Sequence, residues 1–232
     1  MSTRLIAVSF DADDPEALGV FWAGVLGREI VEEANGVLLP GNDTQVGLRF
    51  VADTAETSGR NRLHLHLTSS TTGAQRRTVE AVLRLGGRRF GTRPLPIGRD
   101  SIFLADPGGN EFCVTEPGNN YLAGCGFLGE FTCDGTREVG LFWRDALGWL
   151  LVWDQGKQTA IQSPRGGTKI SWDSWPVACK NGRNRQRFDL AASDIAAEVE
   201  RLVALGATEL GDRHGDVELA DPDGNEFSVS LD

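Results

Sequence analysis

LADPGGNEFCV runs from Leu104 to Val114, and LADPDGNEFSV from Leu219 to Val229, the same phrase written twice 115 residues apart. Asp106-Pro107-Gly108-Gly109 is a turn signal, and Asp221-Pro222-Asp223-Gly224 is its twin. After each turn the residues alternate as a strand, with Phe112 and Val114 on one face and Glu111 and Cys113 on the other. A one-residue slip would exchange the faces and bury Glu111, so the fixed turn sets the register of a final strand. One difference falls on the inward face: Cys113 in the first copy is Ser228 in the second.

The duplication extends outward from the phrase. In DDPEALGVFWAGVLG, Asp13 to Gly27, the apolar residues Leu18, Phe21, Trp22, Val25 and Leu26 form one helical stripe. Asp13 or Asp14 suits the N-cap, Pro15 the first turn, and Gly27 the left-handed stop. DGTREVGLFWRDALG, Asp134 to Gly148, repeats the stripe with an offset of 121, and Asp134 matches Asp13. A second helix pair carries Val79, Val82 and Leu83 before Gly86, and Val199, Leu202 and Val203 before Gly206. Leu-Gly therefore closes four helices, at spacings of 59, 62 and 58 residues. Each helix follows an apolar strand (RLIAVSF, LHLHLT, GFLGEF or RFDLAA) and leaves room for about three short strands after it. The spacing predicts four strand–helix–strand–strand–strand units, an α+β chain of two modules covering residues 1–117 and 122–232. The joint falls in EPGNNYLAG, Glu116 to Gly124, which is rich in turn residues.

Composition narrows the function classes. The chain has 232 residues, enough for two small cores, and a net charge of −10 that argues against a nucleic-acid partner. No apolar run approaches the roughly 20 residues that span a bilayer, so no membrane partner is expected. The N-terminus lacks the pattern of a signal peptide, and Cys113, Cys125, Cys133 and Cys179 form no C-x-x-C pair. A reduced cytoplasmic protein is the expectation.

The helix ending in FW-x-x-x-LG, the strand NRLHLHL and the closing DPxGNEFxV resemble the vicinal oxygen chelate superfamily of glyoxalase I, bleomycin-resistance proteins and extradiol dioxygenases. The resemblance is nearest to its glyoxalase-like subgroup. It covers almost the whole chain twice over and implies cupped mixed or antiparallel sheets with helices outside. It also implies that the two modules act as an internal pseudo-dimer, the chain being a monomer or a homodimer.

Enzymes of that superfamily hold a divalent metal with His, Glu or Gln side chains that converge in the cup. The resemblance places those positions at Ala7, His64 and Cys113 in the first module and at Leu128, Arg187 and Ser228 in the second. Ala7 and Leu128 have no donor atom, so no cofactor is expected. The alternative is one divalent ion in the first module, held by His64, His66 and Glu111, which would make the chain a metal-dependent lyase, isomerase or oxygenase. Without a metal, His64 remains a candidate acid–base group.

In the second module Arg183, Arg185 and Arg187 alternate toward the cup, where a guanidinium suits a carboxylate or phosphate of a ligand. It can equally pair internally with Asp189 or Glu226. Trp149, Trp153, Trp172 and Trp175 are candidate flat walls, and Cys113 and Ser228 each face the cup of their own module. The reading is a small-molecule-binding protein that holds a planar or anionic ligand, with Arg185, Arg187, Asp189, Glu226, Trp172, Trp175, Cys113 and Ser228 as its candidate contacts.

Overall fold

A computed structural model describes residues 3–53, 61–90, 101–173, 180–213 and 215–232. The first unit is β1 (Arg4–Ala12), α1 (Pro15–Leu26), β2 (Val31–Glu33), β3 (Gly36–Leu39) and β4 (Gly47–Ala52). The second is β5 (Leu63–Leu67), α2 (Thr72–Arg84), β6 (Arg88–Arg89), β7 (Ile102–Ala105) and β8 (Glu111–Val114). The third is β9 (Leu128–Cys133), α3 (Arg137–Leu147), β10 (Leu150–Gln155), β11 (Gln158–Gln162) and β12 (Lys169–Trp172). The fourth is β13 (Gln186–Ala192), α4 (Ile195–Leu205), β14 (Thr208–Arg213), β15 (Asp216–Ala220) and β16 (Glu226–Leu231).

Local signals act as the spacing predicts. Asp14 caps α1 by accepting from the Ala17 N–H at 2.9 Å, Pro15 fills its first turn, and Gly27 ends it at φ 66°. Gly148 ends α3 at φ 64°. The cap of α3 differs from expectation. Thr136 accepts from the Val139 N–H, while Asp134 lies buried two residues earlier.

The strands join across the modules. One eight-stranded sheet has the order β14-β15-β16-β13-β1-β4-β3-β2, and the other β10-β11-β12-β9-β5-β8-β7-β6. Units one and four thus form one mixed sheet, and units two and three the other. The seams are antiparallel: Val8 faces Phe188 where β1 meets β13, and Leu65 faces Phe131 where β5 meets β9. Within each unit the first and last strands run parallel.

The helix layer ties together what the sheets separate. Asp106, in the turn of the repeated phrase, accepts a hydrogen bond from Trp22 Nε1 at 2.9 Å and another from the Asn110 N–H at 2.8 Å. Its twin Asp221 takes Trp143 Nε1 at 3.2 Å and the Asn225 N–H at 2.9 Å. Each phrase therefore pins the first helix of a module to that module's second unit. Trp22 packs on Phe112 at 4.8 Å, and Trp143 on Phe227 at 4.9 Å. Each fully buried side chain of this size contributes roughly 2–3 kcal/mol of transfer free energy. Gly109 and Gly224 sit at φ 85° and 80° at the ends of these turns, where a Cβ would be strained. The phrase encodes a turn, a carboxylate for a tryptophan and a strand in a single run.

Candidate functional site

Alternation along β5 sends Leu63, Leu65 and Leu67 into the core, which leaves His64 and His66 on the concave face. The neighbouring strands bring partners to that face in register. His66 lies opposite Cys113 on β8 and opposite Glu130 on β9. His66 Nδ1 is 3.0 Å from Glu130 Oε2, and Tyr121 Oη donates to Glu130 Oε1 at 2.8 Å. These side chains lie at the edge of a cavity of about 510 Å³. His66, Cys113, Glu130, Thr132, Ser171 and Asp173 give it a polar lining, and Phe103, Tyr121 and Trp153 give it aromatic walls. Tyr121 and Trp153 meet edge to face at 6.0 Å, and Lys169 Nζ sits 4.3 Å over the Tyr121 ring.

The electrostatics of this cup are dominated by the imidazole. Burial alone would push His66 down, but the Cys113 sulfur and the Glu130 carboxylate outweigh it and raise the imidazole to about 10. Burial likewise opposes the charge on Glu130. Hydrogen bonds from His66, Ser171 and Tyr121, with the charge of the imidazole, hold that carboxyl below its ordinary range. Asp173 is pushed up by burial and by Glu130. Glu116 also lines the cavity, so acidic side chains outnumber the one imidazole.

His64 and Glu111 share the concave face but form a separate pair, with Nδ1 3.6 Å from Oε2, and neither lines the cavity. The expected metal set of His64, His66 and Glu111 is thus divided, because each imidazole faces a different carboxylate. The donors nearest a shared point, His66 and Glu130, bond to each other, and Tyr121 takes the second Glu130 oxygen. Among the described residues no group of three or more His, Cys, Asp or Glu is arranged to hold a metal ion. The described side chains of this cup do not fit the superfamily's metal. Ala7 belongs to the other sheet, so it never meets His64 or Cys113 in one cup.

The second cup, formed by units one and four, is cross-linked by its own charges. Arg187 pairs with Asp11 at 2.7 Å, and the two side chains are only 8% and 4% exposed. Asp189 accepts from Arg49 at 2.5 Å, from Ser228 Oγ at 2.9 Å and from Ser9 Oγ. Glu226 pairs with Lys180. Arg185 precedes β13, and its carbonyl accepts from the Asp11 N–H at 2.9 Å. Arg187 does point inward as alternation predicts, but the Asp11 carboxylate meets it there. Burial still raises the Asp11 carboxyl despite Arg187.

Of the tryptophans, Trp153 lines the first cup, while Trp149 packs partly against the core. Trp172 is 1% exposed and belongs to the core, which corrects its reading as a ligand wall. It shares a face of β12 with Ile170, toward α3, where Gly140 makes room for it. Trp175 lies outside the described residues, as does Cys179. Cys113, Cys125 and Cys133 are free thiols. Glu130, Tyr121, Thr132, Ser171 and Asp173 were not singled out by the sequence. Glu130 alone carried a signal, as a charge inside the apolar strand GFLGEF that burial obliges to find a partner.

A wider depression of about 640 Å³ lies outside both cups, beside β1 and the loop at residues 40–46. Of its charged side chains, Asp43 and Arg165 pair with each other at 2.8 Å in open solvent, and Arg4 pairs with Asp232. Among the described residues no helix is long and apolar enough to cross a membrane.

Four βαβββ units joined into two cupped sheets define a tandem glyoxalase-type fold. The chain belongs to the glyoxalase-like domain family, whose model matches residues 7–115 and 130–230, and so to the vicinal oxygen chelate superfamily. Glyoxalase I from Zea mays superposes with a TM-score of 0.66 at 13% identity, over 98% of this chain and 92% of that one. A Bacillus subtilis protein proposed to be a dioxygenase superposes with a TM-score of 0.59 at 16% identity, over 100% of this chain and 86% of that one. At such identities the likeness is one of fold. None of the curated proteins compared matches the chain.

Proposed function

We propose that the chain binds a small planar molecule, neutral or cationic, in the cup shared by units two and three, through its own side chains and without a metal ion. One observation carries this reading: a cavity of about 510 Å³ opens onto a hydrogen-bonded His66–Glu130 pair between the rings of Phe103, Tyr121 and Trp153. Apolar walls with a few placed polar groups are what a small-molecule site needs. The rings supply flat contact area at low entropic cost. Glu116, Glu130 and Asp173 favour a ligand that donates hydrogen bonds or carries positive charge. The anionic ligand expected from the arginines finds less support, because Arg187 and Arg49 are engaged by Asp11, Asp189 and Glu33.

Benzamidine, benzamide and benzoate share one shape and differ in charge, so they separate these readings. Titration followed by tryptophan fluorescence is expected to show benzamidine binding tightest and benzoate weakest. A preference for benzoate, unchanged by Trp153→Ala, would remove this cup as the site.

A further inference from the structure

The same two strand positions are filled differently in the two cups. In the cup of units one and four, Ser228 stands where the repeated phrase has Cys113, and Asp189 stands where β5 has His66. There Ser228, Ser9 and Arg49 all donate to Asp189, and the group is closed on itself. In the cup of units two and three the group is left open toward the cavity. Glu130 holds Nδ1 of His66, and Tyr121 holds the other carboxylate oxygen, which fixes the ring plane. Nε2 is then the nitrogen available to Cys113, the direct neighbour of His66 across the parallel pair. The Cys113 side chain lines the cavity beside the imidazole. Cys125 and Cys133 line no part of it, and burial raises both thiols.

We propose that Cys113 is a nucleophile that adds to planar conjugated carbonyl compounds held in this cavity, with His66 carrying the proton and Glu130 positioning the imidazole. The proposal rests on reading the cavity as a ligand site. An acid that orients a histidine, which in turn serves a thiol, is the general arrangement for activating sulfur. The thiol gives its proton to His66 as the two groups form an ion pair, so the imidazolium already holds that proton when a sulfur lone pair forms a bond to the β-carbon. The C=C π electrons move onto the α-carbon and carbonyl oxygen, and the imidazolium returns its proton to the α-carbon. An S–H and a C=C π bond are consumed, and an S–C and a C–H bond form, with no leaving group, water or oxidant required. Phe103, Tyr121 and Trp153 suit a flat conjugated system.

The test uses the full chain, unmodified and folded, with N-ethylmaleimide as the conjugated carbonyl probe and peptide mass spectrometry to locate the adduct. Cys113 is expected to react first, at least about 10-fold faster than Cys125 and Cys133. His66→Gln is expected to slow that reaction by about 100-fold. Glu130→Gln is expected to slow it less and to shift its pH profile, which a loss of packing alone would not do. The groups that face His66 are Cys113, Glu130, Tyr121 and Asp173, so a profile shared with a Tyr121→Phe control isolates the carboxylate. Should a variant fail to fold, the order of labelling in the unmodified protein decides the matter. Labelling of Cys113 no faster than Cys133, or a rate indifferent to His66→Gln, overturns the proposal. If benzamidine still binds in that case, the ligand-site reading stands and only the nucleophile falls. If benzamidine does not bind, the ligand-site reading falls first.

Discussion

His66 Nδ1 lies 3.0 Å from Glu130 Oε2 across the seam where β5 of the first module meets β9 of the second. The pair exists only because the two modules share a sheet. It is also half-enclosed, since the imidazole is 25% exposed and the carboxylate 4%.

The imidazole should therefore remain charged far above its ordinary range. Burial opposes this, and Cys113 and Glu130 together override it, which raises His66 to about 10 from an unfolded value near 6.5. A group raised in this way contributes stability that is complete below about pH 6.5 and lost as pH rises through about 10. Ring-proton NMR of the histidines should show one resonance, absent in His66→Gln, that does not titrate near neutrality. Glu130→Gln should bring it down only part of the way, because the Cys113 sulfur beside it remains. An unperturbed titration of His66 in the native protein would contradict the pairing.

Asp221 should give a stability change of the opposite kind to an ordinary salt-bridged carboxylate. Burial raises it to about 6, against hydrogen bonds from Asn225 and Trp143 that lower it. The native state then holds a proton that the unfolded chain has released. The contribution of protonated Asp221 is present below about pH 4 and is lost as pH rises through about 6. Urea unfolding at a series of pH values should show this decline, and Asp221→Asn should flatten it. An equal slope in both proteins would remove the assignment.

The arginine cup should prove structural. Arg187→Met leaves Asp11 buried without its cation and is expected to cost about 3 kcal/mol. Adding Asp11→Leu should restore most of that loss, because the desolvated charge leaves with its partner. Benzamidine affinity should not change in the double variant. A large loss of affinity there would show that the two cups had been assigned the wrong roles.

Much of this architecture could be read from residue order. The stripes at Phe21-Trp22 and Phe142-Trp143, the Leu-Gly stops and the repeated phrase are local signals, and each folds as local physics requires. The pairing of β1 with β13 and of β5 with β9 was not legible. Period-two alternation says which face of a strand is buried, not which edge meets which neighbour. The same limit hid the site. Alternation placed His66, Cys113 and Arg187 on concave faces correctly. It could not say that Glu130 would arrive beside His66 or that Asp11 would meet Arg187. Tyr121 lies in the turn-rich joint between modules, where no periodicity marks it as a cavity wall. Trp172 follows the opposite logic, since its strand neighbours, not its own sequence context, bury it.

A crystal of the full chain soaked in benzamidine bears most directly on the choice between the cups. Density for the amidine should lie between Tyr121 and Trp153, with its charged end toward Glu116 or Asp173 at the rim of the His66 cavity. Density beside Arg187 and Asp11, with the His66 cavity empty of benzamidine, would contradict it.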